Sequence, residues 1–142
     1  MMVGAIVELS IMAVLDRGTP NQECIAIKAN DNVDLGQYGL MLGVSGGEGK
    51  GAWPLRDNLL WFGDGWIKKD DWLFVHTGEG NPQTTPGTNG AETLHTIYWG
   101  RAHTIFHAVK VVPILFRVDA VNVDDPATPI QGPQRALPPA LA

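Results

Sequence analysis

Val7-Glu8-Leu9-Ser10-Ile11-Met12-Ala13-Val14-Leu15-Asp16 is the stretch on which the fold turns. Val7, Leu9, Ile11, Ala13 and Leu15, with Val3 upstream, fall two apart, and Glu8, Ser10 and Asp16 stand between them. An interval of two is the period of a half-buried strand, because successive side chains of a strand point to opposite faces; a helix would repeat near 3.6. The alternation predicts a first strand that turns those apolar residues inward. A strand this long and apolar needs a neighbouring strand or chain beside it.

The same period recurs downstream, separated by residues that favour turns. Gly18-Thr19-Pro20-Asn21 and Asn30-Asp31-Asn32 bracket a short strand over 23–29 with Ile25 and Ile27 on one face. Residues 37–44 set Tyr38, Leu40, Leu42 and Val44 against Gln37, Gly39 and Gly43. The glycine-rich run 45–51 lacks the Gly-Lys-Ser/Thr ending of a phosphate loop and reads as a hairpin tip. Residues 53–55 and 59–62 are short extended pieces, and 63–65 and 68–71 are polar turns around Trp66-Ile67. In 72–77, Trp72, Phe74 and His76 oppose Leu73, Val75 and Thr77. Residues 78–90 are too poor in apolar side chains to pack and read as a long surface loop. Residues 93–99 and 105–118 complete the strands, with Pro113 at an edge or bulge because it cannot donate to a ladder.

About seven to nine short strands and no convincing helix predict an all-β, antiparallel sandwich over residues 1–123. Residues 124–142 carry five prolines and too few apolar side chains for a core. They are expected to be extended or disordered unless a partner orders them. The chain's 142 residues suffice for one core, and 17 Gly and 10 Pro suit strands and turns better than helices.

Charge and cysteine narrow the function classes. A formal net charge of −5 repels phosphate backbones and anionic lipid, so neither nucleic acid nor membrane is expected as a partner. Cys24 is the single cysteine, which leaves no internal disulfide framework and suits a packing role. The apolar start has no preceding Lys or Arg, and no run reaches the roughly 18 apolar residues of a membrane helix. The expectation is a cytoplasmic protein, or part of a particle assembled in the cytoplasm.

Several segments, taken in order, resemble the lamin-tail domain, an immunoglobulin-like sandwich. They are Glu23-Cys24-Ile25-Ala26-Ile27, Asn30, Val33-Asp34-Leu35-Gly36-Gln37-Tyr38, Trp53-Pro54-Leu55, Leu73-Phe74-Val75-His76-Thr77-Gly78-Glu79-Gly80 and Ile97-Tyr98-Trp99-Gly100-Arg101. The likeness spans roughly residues 7–120 and departs at His107-Ala108-Val109-Lys110-Val111-Val112-Pro113, where many prokaryotic members have an Asn-rich turn and Gly-Asp. It implies an immunoglobulin-like fold in which Asp34, Leu35, Tyr38, His76, Thr77, Gly78, Trp99, Gly100 and Arg101 are turn and core positions. It implies no catalytic residue and no cofactor.

The chemistry-bearing residues support the same expectation. His103 and His107 are four apart, which would align them on a helix but not in strand and loop, and His76 and His95 lie elsewhere. Ser10 and Ser45 lack a nucleophile elbow, and Asp64, Asp70 and Asp71 lack the spacing of a calcium loop. Of the five tryptophans, Trp72 and Trp99 are expected in the core, and Trp53, Trp61 and Trp66 near turns and partly exposed. Those three, with Pro129, Pro133 and Leu137, are the interface candidates. The chain is expected to be a non-catalytic structural or adaptor module that binds protein, as a homo-oligomer or a component of a larger assembly such as a particle coat. The alternative is carbohydrate recognition through exposed tryptophans and the loop over 78–90.

Overall fold

The computed structural model describes residues 4–88 and 92–124 and folds them as an all-β sandwich. Its strands are β1 (Leu9–Leu15), β2 (Cys24–Ala29), β3 (Val33–Asp34), β4 (Tyr38–Ser45), β5 (Ala52–Trp61), β6 (Trp66–Ile67), β7 (Trp72–His76), β8 (Gln83–Thr85), β9 (Leu94–Tyr98) and β10 (Val111–Arg117). One sheet has the order β1-β2-β7-β9-β8, a second β10-β4-β5, and β3 pairs with β6. The core lies between the two larger sheets, where Ile25 and Ile27 of β2 and Leu73 and Val75 of β7 join Tyr38, Leu40 and Leu42 of β4. No helix among the described residues is long and apolar enough to cross a membrane.

Two features differ from the simple alternation. Within β1 the register to β2 shifts between Ile11 and Ala13, so Met12 is an extra residue that bulges outward. The bulge reverses the facing of everything after it. Leu9, Ile11 and Val14 meet the core, whereas Val7, Met12 and Leu15 are exposed. The second feature is β9, which runs parallel to β7 although every other pairing is antiparallel. A parallel return needs a connection of a dozen residues or more, and the stretch 77–93 supplies it. That stretch is not loop throughout, since Gln83–Thr85 adds to β9 as β8. Its polar side chains are all exposed, so it pairs by backbone alone and leaves no apolar pattern to read.

Residues 105–110, expected to begin the last strand, instead turn, and β10 starts at Val111. The cause is Glu23, a carboxylate only 1% exposed. Its Oε1 accepts from the Thr77 hydroxyl at 2.9 Å and the Ile105 N–H at 2.7 Å. Its Oε2 accepts from the Gly18 and Phe106 N–H groups, each at 2.8 Å. Four donors on one carboxylate satisfy a charge that burial would otherwise penalise. They also seat Phe106 fully in the core, with the Arg17 guanidinium 5.5 Å from its ring centre.

Burial alone would raise the Glu23 carboxyl, but the N–H groups of Ile105, Gly18 and Phe106 and the Thr77 hydroxyl outweigh it and hold it below its ordinary value of 4.5. Folding therefore favours the ionised form. The contribution is complete above the unfolded value and vanishes as pH falls through the folded one. Glu23→Gln turns an amide donor toward two donors and is expected to cost about 3 kcal/mol near neutral pH. In urea titrations its deficit should narrow as the solution is taken below about pH 4, and a deficit independent of pH would contradict the assignment.

Candidate functional site

From Gly39 to Gly43 of β4 and at their paired positions, the β10-β4-β5 sheet is apolar on both faces. Strand β4 alternates Tyr38, Leu40 and Leu42 inward with Gly39, Met41 and Gly43 outward. Register carries the same split to its neighbours. Phe116 and Ile114 of β10 stand opposite Gly39 and Met41, and Trp61, Leu59 and Pro54 of β5 stand opposite Gly39, Met41 and Gly43. Val112 completes the outer row opposite Gly43. No charged or hydroxyl side chain interrupts these paired outer positions, although an antiparallel sheet with one solvated face normally alternates with polar residues there.

The two glycines let the outer side chains lie flat. Over Gly39 the Trp61 and Phe116 rings meet edge to face, with centroids 6.4 Å apart. A Cβ on Gly39 would run into the Leu60 carbonyl oxygen and come within 2.5 Å of Phe116 Cζ. A Cβ on Gly43 would run into the Ile114 side chain and lie 2.8 Å from the Trp53 carbonyl oxygen. The Trp61 indole N–H donates to the Gly36 carbonyl at 2.8 Å, so its polar edge is satisfied and its apolar body remains on the surface. Leu59 is 55% exposed beside it.

This face continues into a groove of about 640 Å³, where Met41, Ile114 and Phe116 meet Ile6, Leu9 and Ile11 along the β1 side. One end of the groove is polar. The Arg117 guanidinium donates to Glu8 at 2.6 Å and to Asp119 at 2.9 Å, and the Tyr38 hydroxyl also donates to Glu8. The Tyr38 bond is the first cause holding the Glu8 carboxyl down at about 2. Farther along, the Arg17 guanidinium donates to the Val111 carbonyl at 3.1 Å, so side chains bridge the facing edges of β1 and β10.

A second concavity of about 370 Å³ lies between the two-stranded β3–β6 ribbon and the β8–β9 rim. Leu35, Phe62, Leu73 and Ile97 contribute its apolar lining, and Asp64, Trp66, Gln83, Thr84, His95 and Thr96 are its polar and aromatic lining. His95 is fixed by Asp71, whose Oδ2 lies 3.2 Å from Nε2. Asp71 also accepts from the Thr93 N–H at 2.9 Å and the Lys68 N–H at 3.1 Å. Burial pushes against the Asp71 charge, but these bonds outweigh it and keep the carboxyl below its ordinary value.

The residues singled out from sequence fall into two groups. The motif residues come together. Trp99, Gly100 and Arg101 run beside His76, Thr77 and Gly78, joined by N–H donation from Trp99 to His76 at 2.7 Å, from Gly100 to Gly78 at 2.9 Å and from Arg101 to Thr77 at 2.8 Å. His76 stacks on Tyr98 with centroids 5.1 Å apart, Asp34 accepts from the Gly36 N–H at 3.0 Å, and Leu35 and Tyr38 are buried. The Arg101 side chain reaches across to Asn58 at 2.8 Å.

The tryptophan candidates do not form one patch. Trp53 stands opposite Val44 and Trp61 opposite Gly39, which sets them roughly 17 Å apart along the sheet at the rise of a strand, and Trp66 is on the separate β3–β6 ribbon. Trp53 and Trp66 are 65% and 69% exposed, while Trp61 is half-buried against Phe116. Pro129, Pro133 and Leu137 lie outside the described residues. His103 and His107 occupy the turns before β10 rather than a helix, with His107 against Gly18. Among the described residues no three His, Cys, Asp or Glu side chains gather as a metal site. Cys24 is buried, and burial first, then the Asp16 charge, pushes its thiol up to about 11.

Sequence reading passed over Met41, Leu59, Val112, Ile114 and Phe116 as surface residues. The signal was present in Val111-Val112-Pro113-Ile114-Leu115-Phe116, an unbroken apolar run where one solvated face would demand alternation. Gly39→Ala is expected to lower stability by about 3 kcal/mol in urea denaturation, because backbone as well as ring must move. It should also change the near-ultraviolet dichroism of the Trp61–Phe116 pair. Gly4→Ala, with nothing within 4 Å of the added methyl, should be nearly neutral. No family model, curated protein or solved structure matches the chain.

Proposed function

We propose that this chain is a non-catalytic structural or adaptor module that associates with protein, first of all with further copies of itself, through the outer face of the β10-β4-β5 sheet. The observation that carries the reading is that this face is apolar in every paired outer position from Val112 to Trp61. An apolar area of this kind on a domain surface is the usual mark of an interface. A second copy of the same face is the matching chemistry, since oily side chains meet oily side chains and the charges of β5, Arg56 and Asp57, lie in its unpaired stretch rather than at the paired outer positions. Such a contact is isologous and pairs two subunits about a two-fold axis.

The resemblance to the lamin-tail domain points the same way, toward a scaffold without a reaction of its own. Cys24 stands opposite His76 across the β2–β7 ladder, but its thiol is buried and pushed up to about 11, away from the thiolate that a nucleophile needs, and this supports a non-catalytic reading. With a second contact elsewhere on the surface, a small sandwich of this kind would serve as a repeated coat or decoration component of a particle. Pro129, Pro133 and Leu137 would then be contacts to a neighbour.

Sedimentation velocity over a concentration series tests the reading. The full chain should form a dimer or larger species, and Leu59→Asp and Met41→Asp should each weaken that association at least tenfold by placing an unpaired charge in the contact. Leu59 is exposed in the monomer, so its replacement should leave the fold intact. A full chain that stays monomeric at high concentration, with both variants sedimenting alike, would sink the proposal.

A further inference from the structure

The concavity beside Trp66 has no part in the sheet face just described, and its chemistry is different. Trp66 is 69% exposed although β3 and β6 hold its backbone in register with Asp34. The fold therefore makes little use of the indole. Across the gap, β8 contributes Gln83 and Thr84 and β9 contributes His95 and Thr96, with Asp64 on the Trp66 side. The strand that forms this rim, β8, is polar and wholly exposed. It contributes no core residue, and what it does add is a wall to the concavity.

We propose that this concavity binds a neutral saccharide, with one sugar ring stacked on Trp66 and its hydroxyls met by Gln83, Thr84 and Thr96. A pyranose ring is apolar on its C–H faces and polar around its rim. A flat indole matches the first, being a large apolar body with a single polar handle. An amide and two hydroxyls match the second, because each can donate and accept, as a sugar hydroxyl does. The volume of about 370 Å³ falls in the range of small-molecule sites, and the apolar floor with a few polar groups has the usual composition of one.

Charge decides between sugar classes. Among the described residues no lysine or arginine lines the concavity. The whole chain carries −5. Sulfated, phosphorylated and uronic-acid sugars would enter against that field with no counter-charge to receive them.

Two parts of the site were separately visible in the sequence, the exposed Trp66 and the loop over 78–90, and the parallel crossover brings them face to face. The inference is independent of self-association through the other sheet, and its test does not depend on oligomeric state.

The test is an array of neutral oligosaccharides probed with the full chain, followed by calorimetric titration of the best ligand against Trp66→Ala, Gln83→Ala and Trp53→Ala. Trp53 is 65% exposed and lies at the hairpin end of the other sheet, so it reports what loss of any surface indole does. Binding should weaken at least tenfold in Trp66→Ala, fall measurably in Gln83→Ala and stay unchanged in Trp53→Ala. Both site residues are exposed, so the variants should keep the parent circular dichroism. A blank neutral array, binding confined to acidic glycans, or an affinity that survives Trp66→Ala would overturn the proposal. Equal loss in Trp53→Ala would overturn it as well.

Discussion

The ionised carboxylate of Glu23 is the constraint on which the rest of the sandwich is arranged. It stands at the start of β2, buried, where an unsatisfied charge would be untenable. Its four donors come from three places far apart in the sequence: the turn at Gly18, Thr77 at the end of β7, and the paired N–H groups of Ile105 and Phe106. By drawing them together it delays the start of the expected final strand, sends Phe106 into the core, and sets where β10 begins. The position of β10 in turn sets which of its side chains face outward. The apolar sheet face is thus downstream of one carboxylate remote from it in the chain.

The fold class was legible because it rests on period, and period survives local accident. The β2, β4 and β7 core faces follow the alternation, with Ile25, Ile27, Leu40, Leu42, Leu73 and Val75 all buried, although Val44, expected inward, is only partly buried and Cys24 and Ala26 are buried as well. What could not be read were events that depend on distant partners. The extra residue Met12 in β1 leaves no mark in composition, and its effect on Leu15 appears only when β2 is laid beside it. The direction of β9 is invisible for the same reason. Alternation says which face a side chain takes and nothing about which way its strand runs.

The candidate sites divide in the same manner. Exposed indoles at Trp53 and Trp66 were legible from nearby turn residues, but that Trp61 would be shielded by Phe116 was not, since the two rings meet only through a missing Cβ on an intervening strand. The pairing of His76-Thr77-Gly78 with Trp99-Gly100-Arg101 gives both stretches structural work. Thr77 serves Glu23, Gly100 adopts a φ of 77°, and Trp99 packs on the core, so one side of the sandwich is fastened by turn and backbone geometry rather than by a reactive centre. The surface most open to a partner arises where two apolar patterns overlap on the same strands, and a reading that assigns one inner face per strand overlooks it.

All four outer margins of the two large sheets are blunted. Met12 kinks β1, β8 is three residues long between Pro82 and Pro86, Pro113 withholds an N–H from β10, and β5 loses its pairing across residues 55–58, where Asp57 adopts a φ of 60°. Such margins offer poor templates for strand-by-strand accretion, the route by which uncapped sheets polymerise into fibres. A molecule so trimmed can carry a greasy surface without propagating a cross-β ribbon. On the proposed reading, contact between copies would be broad, flat stacking, which stops once the matching surfaces are covered.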